Sequence, residues 1–89
     1  METCKAFRVS GRVQGVFFRA SCKKKADELG LVGWVRNCAN GDVEGVARGT
    51  DDQLARFRDW LQTGPPMASV EGLEFEASEQ ESFSGFVIR

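Results

Sequence analysis

The stretch from Gly11 to Arg19 contains the residues best suited to binding an anion. It reads Gly-Arg-Val-Gln-Gly-Val-Phe-Phe-Arg, and helical spacing begins near its end. When such a segment joins a strand to a helix, its backbone amides can converge at the helix N-terminus and bind phosphate there. It is not a Walker loop, because no Lys-Ser or Lys-Thr pair follows the glycines. On glycine spacing alone, an ordinary tight turn is the favoured interpretation.

The chain contains no histidine. This excludes a Ser-His-Asp or Cys-His mechanism and a phosphohistidine intermediate, and it removes the commonest metal ligand. Any chemistry performed by this chain must therefore need little proton shuttling.

Length and composition predict one soluble globular domain over residues 1–89, because 89 residues with 42% hydrophobic content cannot build a second core. Twelve basic and thirteen acidic residues give a net charge of −1, so any anion site must be local. No basic region leads into an apolar stretch near Met1, and no apolar run approaches membrane-spanning length. We therefore expect a cytoplasmic protein.

Three cysteines, Cys4, Cys22 and Cys38, form an odd number without metal-binding spacing. This disfavours both a complete disulfide framework and a zinc site. The pattern predicts reduced thiols that serve as small packing residues, with a Cys4–Cys38 bridge or a regulatory thiol as alternatives.

Hydrophobic periodicity places the elements that must position the anion-binding segment. Strands are predicted over residues 7–13, 31–37, 42–47, 70–77 and 83–89, the last as a fifth strand or as a continuation of the fourth. One helix is predicted from the spacing of Phe18, Cys22, Ala26 and Leu29, with Gly30 as its end; a second begins with a capping box at Thr50–Gln53 and ends before Gly64-Pro65-Pro66. The Asn40-Gly41 pair predicts a hairpin between the second and third strands.

The order β-α-β-β-α-β predicts an α+β protein with a ferredoxin-like α/β sandwich, in which two helices pack on one face of a mainly antiparallel sheet. In that topology the first and second strands run parallel. The loop after the first strand and the last residue of the second then lie at the same edge of the sheet. Residues 14–19 should therefore lie near Asn37. A separate prediction, from residue type, is that Trp34, Trp60 and the phenylalanines lie in the core.

Two motifs in this chain resemble those of the acylphosphatase family. Gly11–Arg19 is similar to the signature G-x-V-Q-G-V-x-F-R, and Gly30–Asn37, which reads G-L-V-G-W-V-R-N, is similar to G-L-x-G-W-V-x-N. Further similarities lie at Asn40–Val43, Gly49, Trp60–Leu61 and Gly64–Pro66, so that the resemblance spans almost the whole chain. Ala20–Cys22 differs from the bulkier polar or aromatic residues of many relatives, and the tyrosine often found at the family's C-terminus is absent.

The resemblance implies a hydrolase that splits acyl phosphates into carboxylate and inorganic phosphate. It implies Arg19 as the phosphate-binding arginine and Asn37 as the residue that orients the attacking water. The phosphate would be held by the backbone amides of Gln14, Gly15, Val16, Phe17, Phe18 and Arg19. A metal-free, cofactor-free monomer is implied, with a small-molecule acyl phosphate as substrate, inorganic phosphate as product and competitive inhibitor, and neither nucleic acid nor membrane as partner.

This chemistry is compatible with a chain that lacks histidine. The departing carboxylate has a conjugate-acid pKa of about 4 to 5, so it needs no protonation at neutral pH. What the reaction needs is charge neutralisation and alignment, which an arginine and a set of amides can provide.

Other interpretations of the same residues remain open at the level of sequence. Arg19 could be a solvated arginine at a helix start, and Asn37 could simply end a strand before the hairpin. A relative directed at carbamoyl phosphate is one alternative function. A ferredoxin-like RNA-binding module is another, although the outer face of the first strand offers Arg8, Ser10 and Arg12 rather than aromatic residues. Arg8, Arg12, Arg36 and Arg48 could extend a positive field, with surface solvation favoured for each.

Overall fold

Five strands and two helices make up the computed structural model, which describes residues 1–89. The strands are β1 (Glu2–Arg12), β2 (Val32–Asn37), β3 (Val43–Thr50), β4 (Ser69–Ala77) and β5 (Phe86–Ile88), and the helices are α1 (Phe18–Leu29) and α2 (Asp51–Leu61). The predicted order β-α-β-β-α-β is confirmed. The last segment forms a separate fifth strand rather than a continuation of the fourth.

The strands form one sheet in the order β4-β1-β3-β2-β5. Strand β3 is antiparallel to both β1 and β2, so β1 and β2 run in the same direction. Strand β5 pairs with β2 in parallel, and the other neighbouring strands are antiparallel. The end of β1 and the end of β2 therefore lie at the same edge of the sheet, as predicted.

Both helices pack on one face of the sheet around a single buried cluster. Helix α1 contributes Phe18, Cys22 and Ala26, helix α2 contributes Leu54, Phe57 and Leu61, and the sheet contributes Phe7, Val9, Val35, Val43 and Ala47. The Phe57 ring contacts the Phe7 ring edge to face, with 5.4 Å between the ring centroids. The predicted α+β sandwich is thus confirmed. Neither helix has the length and apolar content needed to cross a membrane.

The placement of Trp34 in the core was wrong. Val35 is fully buried beneath the helices, and because successive side chains of a strand point to opposite faces, Trp34 lies half-buried on the open face of the sheet. There the guanidinium carbons of Arg36 and Arg89 lie 5.0 and 4.6 Å from the centroid of its ring. Trp60 packs against the core while half-buried, whereas Phe17 is exposed.

The hairpin between β2 and β3 forms where the Asn-Gly pair predicted it. Cys38 and Asp42 close it through a backbone hydrogen bond of 2.8 Å. Only Gly41 adopts a left-handed backbone, with φ 100°. Asn40 contributes its side chain instead, because its Oδ1 accepts a hydrogen bond from the Asp42 amide at 3.0 Å.

The capping box of α2 forms as predicted and makes a testable contribution to stability. Thr50 Oγ1 accepts from the Gln53 amide at 3.2 Å, and Gln53 Oε1 accepts from the Thr50 amide at 2.8 Å. Thr50→Ala should lower the free energy of unfolding by about 1 kcal/mol, because one helix-start amide loses its acceptor. Urea denaturation measures this loss. Thr63→Ala, at an exposed threonine beyond the helix, should change it by less than about 0.5 kcal/mol, and equal losses would refute the role of the cap.

Candidate active site

A cavity of about 360 Å³ lies at the sheet edge where β1 and β2 both end. One wall is formed by the loop after β1 and the start of α1, and the other by the ends of β2 and β5. The lining residues are Val13, Gly15, Phe17, Phe18, Arg19, Ala20, Asn37 and Ile88. The structure thus brings Arg19 and Asn37, which belong to separate sequence motifs, to the same cavity.

The backbone of the loop turns sharply into helix α1. Gly15 has φ 74°, and Phe17, at the N-cap, has φ 62° and ψ 26°. The first hydrogen bond of the helix runs from the Ser21 amide to the Phe17 carbonyl at 3.0 Å. The amides of residues 14–19 precede that bond and have no backbone acceptor, as is usual for a helix start. Gly15, Phe17, Phe18 and Arg19 line the cavity, whereas Gln14 and Val16 of the predicted set do not. The structure therefore brings four of the six predicted residues to a place where amides can bind an anion.

Phe17 is the one non-glycine residue with a positive φ in the chain. A left-handed conformation costs a residue with a Cβ atom about 1–2 kcal/mol, and bulky side chains adopt it rarely. Its φ and ψ mark the point at which the chain changes from loop to helix. The strain is thus located in the segment whose amides were predicted to bind phosphate.

Arg19 lies in the first turn of α1 and is half-buried at the cavity. No carboxylate forms an ion pair with Arg19, because the ion pairs of this protein involve other basic residues. An arginine without a carboxylate partner can present its planar donors to two oxygens of one phosphoryl group. Its position at the cavity is compatible with the predicted role.

Asn37 is the last residue of β2 and pairs through its backbone register with Val43 of β3. Its side chain is exposed at the cavity and takes no part in the hydrogen bonds that hold the hairpin. A carboxamide offers both a donor and an acceptor, and it has no proton that titrates near neutral pH. This side chain can therefore orient a water molecule but cannot act as a general base.

The side chain of Gln14 connects the two parts of the cavity. Its Nε2 donates to the carbonyl of Cys38 at 2.8 Å and to the carbonyl of Asp42 at 2.9 Å. The loop after β1 is thereby attached to the hairpin that follows Asn37. The sequence predicted only the backbone amide of Gln14 as a functional group, and residue spacing carries no signal for these two contacts.

Three of the four arginines considered as sources of a positive field are neutralised by carboxylates. Arg8 contacts Asp42 at 3.4 Å and Glu44 at 2.7 Å, and Arg36 contacts Glu44 at 2.6 Å. The hydrogen bond from Arg36 is the main cause that holds the pKa of Glu44 below its ordinary value. Arg48 contacts Glu2 at 3.4 Å. These residues therefore contribute little to attraction of an anion at the cavity.

A second cavity, of about 280 Å³, lies on the open face of the sheet and does not suit a phosphate. Its lining includes Trp34 and Arg8 together with three acidic residues, Glu44, Glu74 and Glu76. The carboxylates repel a phosphoryl group, so the anion site is assigned to the edge cavity. The same charges disfavour the RNA-binding alternative, even though Trp34 places one aromatic ring on this face.

The three cysteines are free thiols in the structure. Cys4 and Cys22 are buried, and burial raises the pKa of the Cys22 thiol. Cys22 packs in the core beneath α1, in agreement with its predicted packing role.

The similarity of this protein to known proteins extends over almost the whole chain. The family model described as Acylphosphatase matches residues 5–88. An acylphosphatase of Coxiella burnetii is 50% identical over 88 residues, covering 99% of this chain and 93% of the relative. The solved structure of an acylphosphatase from Coxiella burnetii superposes with a TM-score of 0.96 at 50% identity, over 99% of this chain and 93% of the other. The crystal structure of the acylphosphatase from Bacillus subtilis superposes with a TM-score of 0.94 at 34% identity, over 100% and 99% of the two chains. The chain therefore belongs to the acylphosphatase family and is a hydrolase of acyl phosphates.

Proposed function

We propose that this enzyme cleaves the carboxyl–phosphate anhydride by in-line attack of water, without a metal ion. Arg19 and the backbone amides of residues 14–19 bind the phosphoryl group, and Asn37 orients the water. One observation carries the proposal: an arginine without an ion-pair partner, loop residues whose amides lack backbone acceptors and an exposed carboxamide line one cavity.

Binding relies on charge and on fixed dipoles. The amides at the start of α1 carry the partial positive charge of the helix N-terminus, and Arg19 adds a full positive charge in the first turn. The amides are held in place by the backbone before the substrate arrives, so they stabilise charge on the phosphoryl oxygens without reorganisation. This arrangement binds inorganic phosphate as well, which makes the product a competitive inhibitor.

The chemical step exchanges one bond to phosphorus for another. The water oxygen forms a bond to phosphorus while the bond from phosphorus to the acyl oxygen breaks, and the electron pair of that bond leaves with the carboxylate. The carboxylate departs unprotonated because its conjugate acid has a pKa of about 4 to 5. The proton of the water passes to a phosphoryl oxygen of the substrate, since neither Asn37 nor Arg19 can accept it.

Residues 1–89 act as one acylphosphatase-like domain, as a monomer in the cytoplasm, and the substrate is a small acyl phosphate. With a net charge of −1, the protein as a whole does not attract anions, so local groups at the cavity must recognise the substrate.

Hydrolysis of benzoyl phosphate in the presence of EDTA tests the proposal. Activity should persist with the chelator, and added inorganic phosphate should raise KM and leave kcat unchanged. Loss of activity in EDTA that returns with a divalent metal would contradict a metal-free mechanism. Hydrolysis that is insensitive to inorganic phosphate would contradict the proposed binding site.

A further inference from the structure

We infer that the side chain of Phe17 contacts the acyl group of the substrate and favours acyl phosphates with an aryl or other bulky apolar acyl group over acetyl phosphate. This inference rests on the proposed function and goes beyond it. Phosphoryl binding is common to every acyl phosphate, whereas a contact with the acyl group distinguishes one substrate from another.

The position of Phe17 is unusual for a large apolar residue. Its side chain is 74% exposed although it lies at the cavity, and its backbone is left-handed. Glycine and asparagine adopt this conformation more readily. The ring of Phe17 does not pack in the core, and the backbone conformation does not favour a phenylalanine. Neither packing nor backbone geometry therefore explains an aromatic ring at this position.

The polar and apolar parts of the cavity lining can serve different parts of the substrate. Arg19, Asn37 and the loop amides suit a phosphoryl group and its water. Val13 and Phe18 are buried at the base of the cavity, whereas Phe17 and Ile88, the latter 42% exposed, remain accessible. An apolar acyl group that enters the cavity thus meets apolar side chains with accessible surface, and contact with them removes that surface from water.

Position and exposure select Phe17 rather than Ile88 as the main contact. Ile88 pairs with Val35 of β2, two residues before Asn37, so Ile88 and Asn37 belong to the same wall of the cavity. Phe17 lies on the facing wall, in the loop whose amides are proposed to bind the phosphoryl group. Its side chain is 74% exposed and that of Ile88 is 42% exposed, so an acyl group can remove more apolar surface from water at Phe17.

Phe17→Asn tests the inference, because asparagine tolerates the left-handed backbone and removes the aromatic ring. The ratio of kcat/KM for benzoyl phosphate to kcat/KM for acetyl phosphate should fall about tenfold, mainly through a higher KM for benzoyl phosphate. The ratio is the readout because a disturbed amide loop would impair both substrates alike. Phe17→Leu keeps an apolar contact and should hold the ratio near the wild-type value.

Met67→Asn is the matched control, because Met67 is 61% exposed and does not line the cavity. It should leave the ratio unchanged. If Phe17→Asn hydrolyses both substrates at the wild-type ratio, the inference is refuted while the proposed function stands. If the wild-type protein hydrolyses neither substrate, the proposed function fails and the inference fails with it.

Discussion

Arg19→Ala is expected to lower kcat/KM for benzoyl phosphate by at least about 10²–10³-fold, with losses in both binding and turnover. In the proposed mechanism the guanidinium contacts the phosphoryl oxygens in the bound substrate and in the transition state, so its removal should weaken binding of both. The free energy of unfolding should change by less than about 0.5 kcal/mol, because Arg19 forms no ion pair in the folded protein. Steady-state kinetics and urea denaturation measure the two effects separately.

Two further variants separate the effect of the Arg19 charge from that of its planar shape and provide a control. Arg19→Lys retains the charge but loses the planar fork, so its activity should fall between those of the wild type and the alanine variant. Arg58→Ala removes an exposed arginine from α2, outside the cavity lining, and should keep the wild-type kcat/KM. If Arg19→Ala hydrolyses benzoyl phosphate as the wild type does, Arg19 is not the phosphoryl-binding residue.

Asn37→Ala is expected to lower kcat about 10²-fold while KM for benzoyl phosphate and Ki for inorganic phosphate change little. In the proposed mechanism the carboxamide contacts the attacking water rather than the phosphoryl group. Asn37→Asp should also weaken binding, because a carboxylate at this position repels the phosphoryl oxygens. Measurement of kcat, KM and Ki for each variant distinguishes loss of turnover from loss of binding.

Asn40→Ala is the matched control for Asn37, since it removes a carboxamide from the same hairpin. The Asn40 side chain contacts only the Asp42 backbone and side chain and does not line the cavity. Its kcat should stay at the wild-type value. A parallel increase in KM and Ki in Asn37→Ala would indicate that Asn37 binds the phosphoryl group and would refute its role as the residue that orients water.

The fold could be predicted because its signals are local. Alternation around Phe7 and Val9, helical spacing from Phe18 onward and the capping box at Thr50 each depend on a few neighbouring residues. The proximity of Arg19 and Asn37 followed from one general rule, since parallel strands bring their carboxyl ends to the same sheet edge. In this way local patterns located residues that are distant along the chain.

The features that escaped prediction depend on side chains and backbone angles that no periodicity encodes. Strand β2 carries apolar residues at both parities around Trp34, so alternation could not assign the face of its ring. The left-handed backbone of Phe17 contradicts the preference of its residue type. The contacts of Gln14 with the hairpin require the three-dimensional path of the loop.

The two hydrogen bonds donated by the Gln14 side chain also bear on the entropy of catalysis. Because they attach the loop to the hairpin, the loop backbone and the strand end that carries Asn37 are joined before any substrate arrives. A preorganised site loses little conformational freedom when the substrate binds, so more of the interaction energy remains to lower the barrier. In the proposed mechanism, this attachment helps to hold the phosphoryl group in line with the water that Asn37 orients.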